Sequence, residues 1–119
     1  MQKNRLSRID HARLLKGARA LRVHGKFFSL ATTPLLGTGV AKYTCAVSTK
    51  VSKKAVERNR IKRLCREAVR MHIAEAAEPL AHIFYAKREA VGTSYEEITR
   101  DIAGLMKKSR DVHQRSSLA

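Results

Sequence analysis

The chain has 119 residues, of which 44% are hydrophobic and 29% are charged, a size and composition that fit one folded domain and exclude a disordered chain. Its 25 Lys and Arg residues against 10 Asp and Glu residues give a net charge of +15, which favours a polyanionic partner. The sequence contains neither a run of about 18 apolar residues nor the apolar stretch of an N-terminal secretory signal, so we expect a cytoplasmic protein without a membrane partner.

A short helix is expected near the N-terminus, from about Arg8 to Lys16. Ser7 and Asp10 have the spacing of a capping box, and Gly17 can end the helix in a left-handed conformation. Apolar residues recur every three positions between Ile9 and Ala18, on about one face of the helix. We expect this face to meet the core.

Two strands are predicted next, in the segments from Lys26 to Thr33 and from Lys42 to Ser48. Both segments are rich in β-branched and aromatic residues, and Pro34 follows directly after the first segment and should end it. We expect the two strands to pair as a hairpin. Phe27 and Phe28 are neighbours, so they should point to opposite faces, one toward the core and the other free to stack on a base or to pack under a helix.

A long helix is predicted from about Lys54, with Pro79 as its latest end. Its apolar residues repeat at intervals of three and four, as expected for one stripe of a helix: Ile61, Leu64, Cys65, Ala68, Val69, His72 and Ala76. The short apolar run from Ile83 to Ala86 has the length of a buried strand. Ser94 and Glu97 then form a capping box in front of a last amphipathic helix.

The elements follow the order helix, strand, strand, helix, strand, helix, which predicts an α+β fold arranged as a two-layer sandwich. We expect residues 1–119 to form a single domain. The basic tail at 109–119 is expected to be frayed.

Basic residues concentrate at the start of the long helix. Between Lys50 and Arg70 nine basic residues stand against the acidic Glu57 and Glu67, so this segment carries seven of the fifteen net positive charges. At 100° per residue, one line of the helix opposite the apolar stripe carries Asn59, Arg63, Arg66 and Arg70. Like charges at this spacing cost about 0.2–0.5 kcal/mol per pair, so stability alone does not explain them.

Arginine predominates along this line, and a planar guanidinium can hold two phosphate oxygens or stack on a base. The sequence therefore predicts a nucleic-acid-binding helix. A merely solvated helix face is the alternative. A helix of this size also fits the DNA major groove, but no helix packs before it as a helix-turn-helix requires.

The residue types used for metal binding and nucleophilic chemistry are sparse. Cys45 and Cys65 form no CxxC pair and have no clustered His, so we expect both to be reduced and structural, with no metal site. A nuclease that uses His72 or His82 with Glu67 as acid and base remains an alternative hypothesis.

The segment from Lys53 to Arg63, KKAVERNRIKR, continues into Arg66-Glu67-Ala68-Val69-Arg70. It resembles the RNR signature of the bacterial ribonuclease P protein family, and the resemblance extends from Arg5 to about Lys108. It implies an α-β-β-β-α-β-α sandwich with one short strand more than the pattern predicts. It also implies a left-handed β-α-β crossover, a handedness that is rare in general.

The resemblance further implies an accessory subunit of an endoribonuclease. Its partners would be a catalytic RNA subunit and precursor tRNA, from which the 5′ leader is removed, with no DNA partner. The RNA subunit would carry the catalysis with Mg²⁺, so the protein would supply no catalytic residue and hold no metal. A ribosomal or other structural RNA-binding protein is the alternative reading.

Two sets of residues match the binding surfaces of the family. The set expected to contact the RNA subunit comprises Lys53, Lys54, Arg58, Asn59, Arg60, Lys62, Arg63, Arg66 and Arg70. The set expected to contact the leader comprises His11, Leu15, Phe28 and Lys50. The sequence departs from the family pattern where aromatic residues are common, at His11, Leu15 and Ala31, and in the loop before the signature, at Thr49 and Ser52.

Overall fold

The computed structural model describes residues 21–34, 42–73 and 80–118. The helix predicted near the N-terminus, together with His11 and Leu15, lies outside these residues.

Four strands and two long helices make up the described fold. Their order is β1 (Leu21–His24), β2 (Phe28–Pro34), β3 (Lys42–Ala46), α1 (Ala55–His72), β4 (Leu80–Ala86), a 3₁₀ turn (Arg88–Ala90) and α2 (Tyr95–Leu118). The strands form one sheet in the order β1-β2-β4-β3. The predicted α+β class is confirmed. Because β3 and β4 are parallel, α1 serves as the crossover between them, and the handedness of that crossover stays a prediction.

The predicted hairpin between β2 and β3 is wrong, because β4 lies between these two strands. Phe84 on β4 is opposite Leu30 on β2 and opposite Cys45 on β3. The physical reason lies in β4 itself, where consecutive residues from Ala81 to Phe84 are buried. A strand that is buried on both faces is typical of the centre of a sheet, so β4 takes the place beside both earlier strands.

The additional strand implied by the family resemblance is β1, which pairs with β2 in antiparallel orientation. Its side chains are largely exposed, and its sequence, LRVH, has too few apolar residues to show a strand pattern. An edge strand of this kind depends on backbone pairing with its neighbour rather than on its own burial.

Both helices cover the same face of the sheet. Phe28, Leu30 and Phe84 project from this face into a core that contains Ile61 of α1 and Ile102 of α2. On the opposite face, a smaller buried cluster is formed by Ala31, Ala81 and Ile83, with Tyr85 packed against it. The helices of the described chain are too short or too polar to cross a bilayer.

The start of α2 was predicted correctly, and the helix extends over most of the segment for which a frayed tail was predicted. Ser94 caps the helix, since its Oγ accepts a hydrogen bond of 3.3 Å from the N–H of Glu97. The helix continues to Leu118, where the sequence suggested a frayed tail from residue 109. Ser109, only 3% exposed, follows Leu105 and Met106 at helical spacing and carries the buried stripe into this segment.

The tight turn between β1 and β2 is bound to α2 by one carboxylate. Asp101 accepts hydrogen bonds from the backbone N–H groups of Lys26, at 2.9 Å, and of Phe27 and Phe28, both at 3.0 Å. A Cβ atom at Gly25 would lie 2.6 Å from Oδ1 of Asp101, so the close approach requires glycine. The turn therefore holds the edge of the sheet against α2.

We expect the substitution Asp101→Asn to lower the free energy of unfolding by about 2–3 kcal/mol, because three hydrogen bonds to a charged acceptor are removed or weakened. Denaturant unfolding would measure this change. Asp111→Asn, at an exposed position of the same helix, is the matched control and should have little effect. Equal stability of the two variants would contradict the proposed anchoring of the turn.

Candidate nucleic-acid interface

The basic line predicted on the long helix faces away from the core. Asn59, Arg63 and Arg70 are exposed and Arg66 is half-buried, and we call these four residues the basic ridge. The opposite side of α1 is buried, as predicted, through Ile61, Leu64, Cys65, Ala68 and Val69. Packing of the apolar stripe thus fixes the direction of the ridge.

Two arginines of the signature are partly engaged within the protein. Arg58 donates from Nη1 to the carbonyl of Ser52 at 2.9 Å, and Arg60 donates from Nη2 to the carbonyl of Thr93 at 3.1 Å. Both side chains are half-buried. A guanidinium has five N–H donors, so each arginine can hold a loop and still present donors to a ligand.

The loop before α1 carries three more of the predicted residues, Lys50, Lys53 and Lys54, and all three are exposed. Arg88 donates from Nε to the carbonyl of Lys50 at 3.0 Å. Together with the bond from Arg58, this contact ties the loop at two points. The remaining predicted residue, Lys62, is half-buried on the flank of the helix.

The residues predicted to meet the leader are not brought together in the described part of the chain. Phe28 is 0% exposed and lies in the core between the sheet and the helices. Its ring offers no free face for stacking on a base, because its side of β2 is the side that the helices cover. Lys50 is exposed in the loop before α1, and His11 and Leu15 lie outside the described residues.

Sequence reasoning missed a pair of side chains on the other face of the sheet. The guanidinium carbon of Arg22, on β1, lies 4.9 Å from the centroid of the Tyr85 ring, on β4, within the range of a cation–π contact. The contact between Arg22 and Tyr85 could not be recognised from the sequence, because the residues of β1 show no strand pattern and Tyr85 fits ordinary packing within a sheet.

The cysteines occupy the core, and neither forms a disulfide. Burial raises the pKa of the Cys65 thiol well above its usual value, and a hydrogen bond with the thiol of Cys45 raises it further. Cys65 is therefore a neutral core group rather than a reactive thiolate.

Of the side chains of the nuclease hypothesis, His82 and Glu67 lie in different environments, and His72 is half-buried at the last residue of α1. His82 is 1% exposed within β4, and its Nδ1 lies 3.3 Å from the carbonyl oxygen of Lys42. Glu67 is exposed on the outer side of α1. In the described ranges, His, Cys, Asp and Glu side chains form no group of three that could hold a metal ion.

The fold and this surface define a small, strongly basic α+β protein that exposes a line of guanidinium groups on its crossover helix. Residues 2–110 match the family model for Ribonuclease P, and the chain belongs to that family.

Two relatives are proteins described as the ribonuclease P protein component. One, from Microcystis aeruginosa, is 35% identical over 75 residues, which cover 63% of this chain and 62% of the relative. The other, from Pseudanabaena sp., is 30% identical over 96 residues, which cover 81% of this chain and 83% of the relative. The match thus spans less than two thirds of the Microcystis protein.

Solved structures show the same fold. A Staphylococcus aureus RNase P protein, a mutant with defective mRNA degradation activity, superimposes with a TM-score of 0.77 at 23% identity, covering 90% of this chain and 88% of its own. The RNase P protein from Thermotoga maritima gives a TM-score of 0.73 at 19% identity, covering 89% and 97%.

If the basic ridge binds phosphates, the double substitution Arg63→Ala and Arg66→Ala should weaken RNA binding. The slope of log affinity against log salt concentration should also fall, by about one for each phosphate that is no longer neutralised. Filter-binding or fluorescence titrations over a range of salt would measure both quantities. Lys107 is an exposed cation of α2, so Lys107→Ala is the control and should change neither quantity as much. If the double variant kept the affinity and the slope of the parent protein, the ridge would be only solvated.

The hydrogen bond between Arg60 and the Thr93 carbonyl should contribute to stability. We expect Arg60→Ala to reduce the free energy of unfolding by about 1–2 kcal/mol, because removal of a half-buried charged donor leaves a carbonyl without its partner. Arg63→Ala, at an exposed position of the same helix, should stay within about 0.5 kcal/mol of the parent protein. Thermal or denaturant unfolding of the two variants would test this difference, and equal losses of stability would argue against it.

Proposed function

We propose that this protein is the protein subunit of ribonuclease P, which assists an RNA subunit in the endonucleolytic removal of the 5′ leader from precursor tRNA. The observation that carries the proposal is the outward orientation of the basic ridge on α1, in a chain that belongs to the ribonuclease P family. We place the protein in the cytoplasm, where its partners would be the catalytic RNA subunit and precursor tRNA.

The ridge would bind the RNA subunit through its phosphates. Asn59 and Arg70 are eleven residues apart, or about 16 Å along the helix axis, which is long enough to meet several phosphates. Each phosphate neutralised by an arginine releases condensed counterions and favours binding. The rest of this surface is proposed to comprise Lys53, Lys54, Arg58, Arg60 and Lys62.

Arg58 and Arg60 would have a double role in this surface. Their bonds to Ser52 and Thr93 hold the loops at the start of both helices, while their remaining N–H groups are available to phosphate oxygens. A guanidinium that is already held by the protein loses less conformational entropy on binding.

Binding of the leader is proposed for the side of the molecule that carries Lys50, with His11 and Leu15 as further candidates. We leave Phe28 out of this surface because its ring is buried. On the face of the sheet opposite the helices, Ala31, Ala81 and Ile83 are buried, whereas Arg22 is exposed and available to single-stranded RNA.

Mg²⁺ would neutralise the charge that develops on the phosphodiester and activate water during hydrolysis. The described residues contain no donor group of three that suits a metal ion, so we assign none of them as a ligand. The side chains of this protein would bind and orient RNA, and the hydrolysis itself would belong to the RNA subunit.

Reconstitution tests the proposal directly. The purified protein, added to a bacterial ribonuclease P RNA, should stimulate cleavage of the leader at low Mg²⁺ concentration, because its cations reduce the repulsion between the two RNA molecules. The absence of stimulation would overturn the proposal. RNA that copurifies with the protein gives a second readout, since ribosomal RNA in place of one small stable RNA would favour a structural ribosomal role.

A further inference from the structure

Arg22 and Tyr85 lie on the face of the sheet opposite the helices. Arg22 is the partner of Ala31 in the pairing of β1 with β2. Ala31 is in turn the partner of Ile83, and Ser29 is the partner of Tyr85, in the pairing of β2 with β4. Paired residues share a face and side chains alternate along a strand, so all five project from the same side.

The small residues of the middle strand allow the two side chains to meet. Ser29 and Ala31 lie on β2, between β1 and β4, and both are buried. Because neither residue is bulky, the arginine can extend across the strand until its guanidinium carbon lies 4.9 Å from the Tyr85 centroid.

The two members of the pair differ in their exposure. Tyr85 is half-buried and packs against the cluster of Ala31, Ala81 and Ile83, which limits the movement of its ring. Arg22 is exposed. The guanidinium thus lies over the aromatic ring, in a side chain that is exposed to solvent.

A guanidinium held in this way is suited to stacking. Unpaired RNA bases stack on arginine planes as well as on aromatic rings, while the N–H groups at the guanidinium edge remain free for phosphate or base oxygens. Bases within a duplex are already stacked on their neighbours, so a single stacking surface of this kind selects a single strand.

The pair is also distinct among the aromatic residues of the sheet. Phe28, Tyr43 and Phe84 are all buried in the core on the helix side. In the described strands, Tyr85 is the only Phe or Tyr side chain on the opposite face, which it shares with the exposed imidazole of His24, the partner of Ser29. Of these two rings, Tyr85 is the one over which an arginine guanidinium lies.

We propose that Arg22, whose guanidinium lies over the ring of Tyr85, is a stacking platform for one unpaired base of the 5′ leader. The proposal rests on the proposed function, because the leader is the single-stranded part of the substrate in that assignment. Arg22 is the residue that touches the RNA, and Tyr85 is a positioning residue.

The test uses the reconstituted holoenzyme and two substrates, a precursor tRNA with a 5′ leader and the same tRNA without it. The dissociation constant of the tRNA without the leader, divided by that of the precursor tRNA, gives a ratio that isolates the contribution of the leader. Arg22→Lys retains the charge but removes the plane, and Tyr85→Leu retains the arginine but removes its support. Each should reduce the ratio about tenfold, the effect of losing one stacked base, whereas Tyr85→Phe should preserve it.

Arg100→Lys is the matched control, because Arg100 is exposed on α2 and α2 packs on the opposite face of the sheet. This control should leave the ratio unchanged. Arg22 is exposed, so its conservative variant should fold, and circular dichroism of each variant would verify this.

The outcomes separate the two proposals. A parent protein that fails to stimulate the RNA subunit would overturn the proposed function. A stimulating parent protein whose Arg22→Lys and Tyr85→Leu variants keep the full ratio would overturn the platform alone. If Arg22→Lys kept the ratio and Arg22→Ala lowered it, the charge of Arg22 would act without stacking. If a variant weakened the binding of both substrates equally, the contact would lie outside the leader. Either result would also overturn the platform.

Discussion

The burial of one side of α1 against the sheet determines where the charge of this protein is presented. Ile61 and Val69 are each 0% exposed, and the burial of one aliphatic side chain of this size contributes about 1.5–3 kcal/mol. Repulsion between neighbouring cations costs only about 0.2–0.5 kcal/mol per pair. The hydrophobic contacts therefore outweigh the repulsion and hold the arginines on the outer side.

The orientation of α1 is further stabilised by contacts at its N-terminal end. Arg60 links α1 to the segment just before α2, and Asp101 of α2 holds the turn that begins β2. These bonds connect the crossover helix, the last helix and the edge of the sheet. A surface that rests on connected elements loses little entropy when it binds a ligand, which suits the recognition of a large and rigid RNA.

The sequence predicted the elements whose side chains carry a clear period. Along α1 the apolar residues recur at helical spacing, and the structure buries them as expected. The partners of the strands were harder to predict, because an apolar run such as Ile83 to Ala86 indicates a buried strand without indicating its neighbours. The hairpin prediction failed for this reason, and β1 was missed because its pairing depends on backbone groups.

The candidate site was predictable to a similar extent. Helical spacing correctly placed Asn59, Arg63 and Arg70 on the outer side of α1. It could not reveal that Arg60 reaches the carbonyl of Thr93, since that hydrogen bond joins residues that are distant in the chain. For Phe28 the alternation of a strand left two faces open, and only the position of the helices showed that this ring lies in the core.

Crosslinking from the ridge would test the central claim most directly. A photoreactive group attached to a cysteine at position 59, by Asn59→Cys, should crosslink to the ribonuclease P RNA, because that position lies on the exposed line of α1. The native Cys45 and Cys65 are buried and should remain unlabelled. The same group at Asp111→Cys, on α2, should crosslink much less. A strong crosslink from position 111 together with none from position 59 would contradict the account.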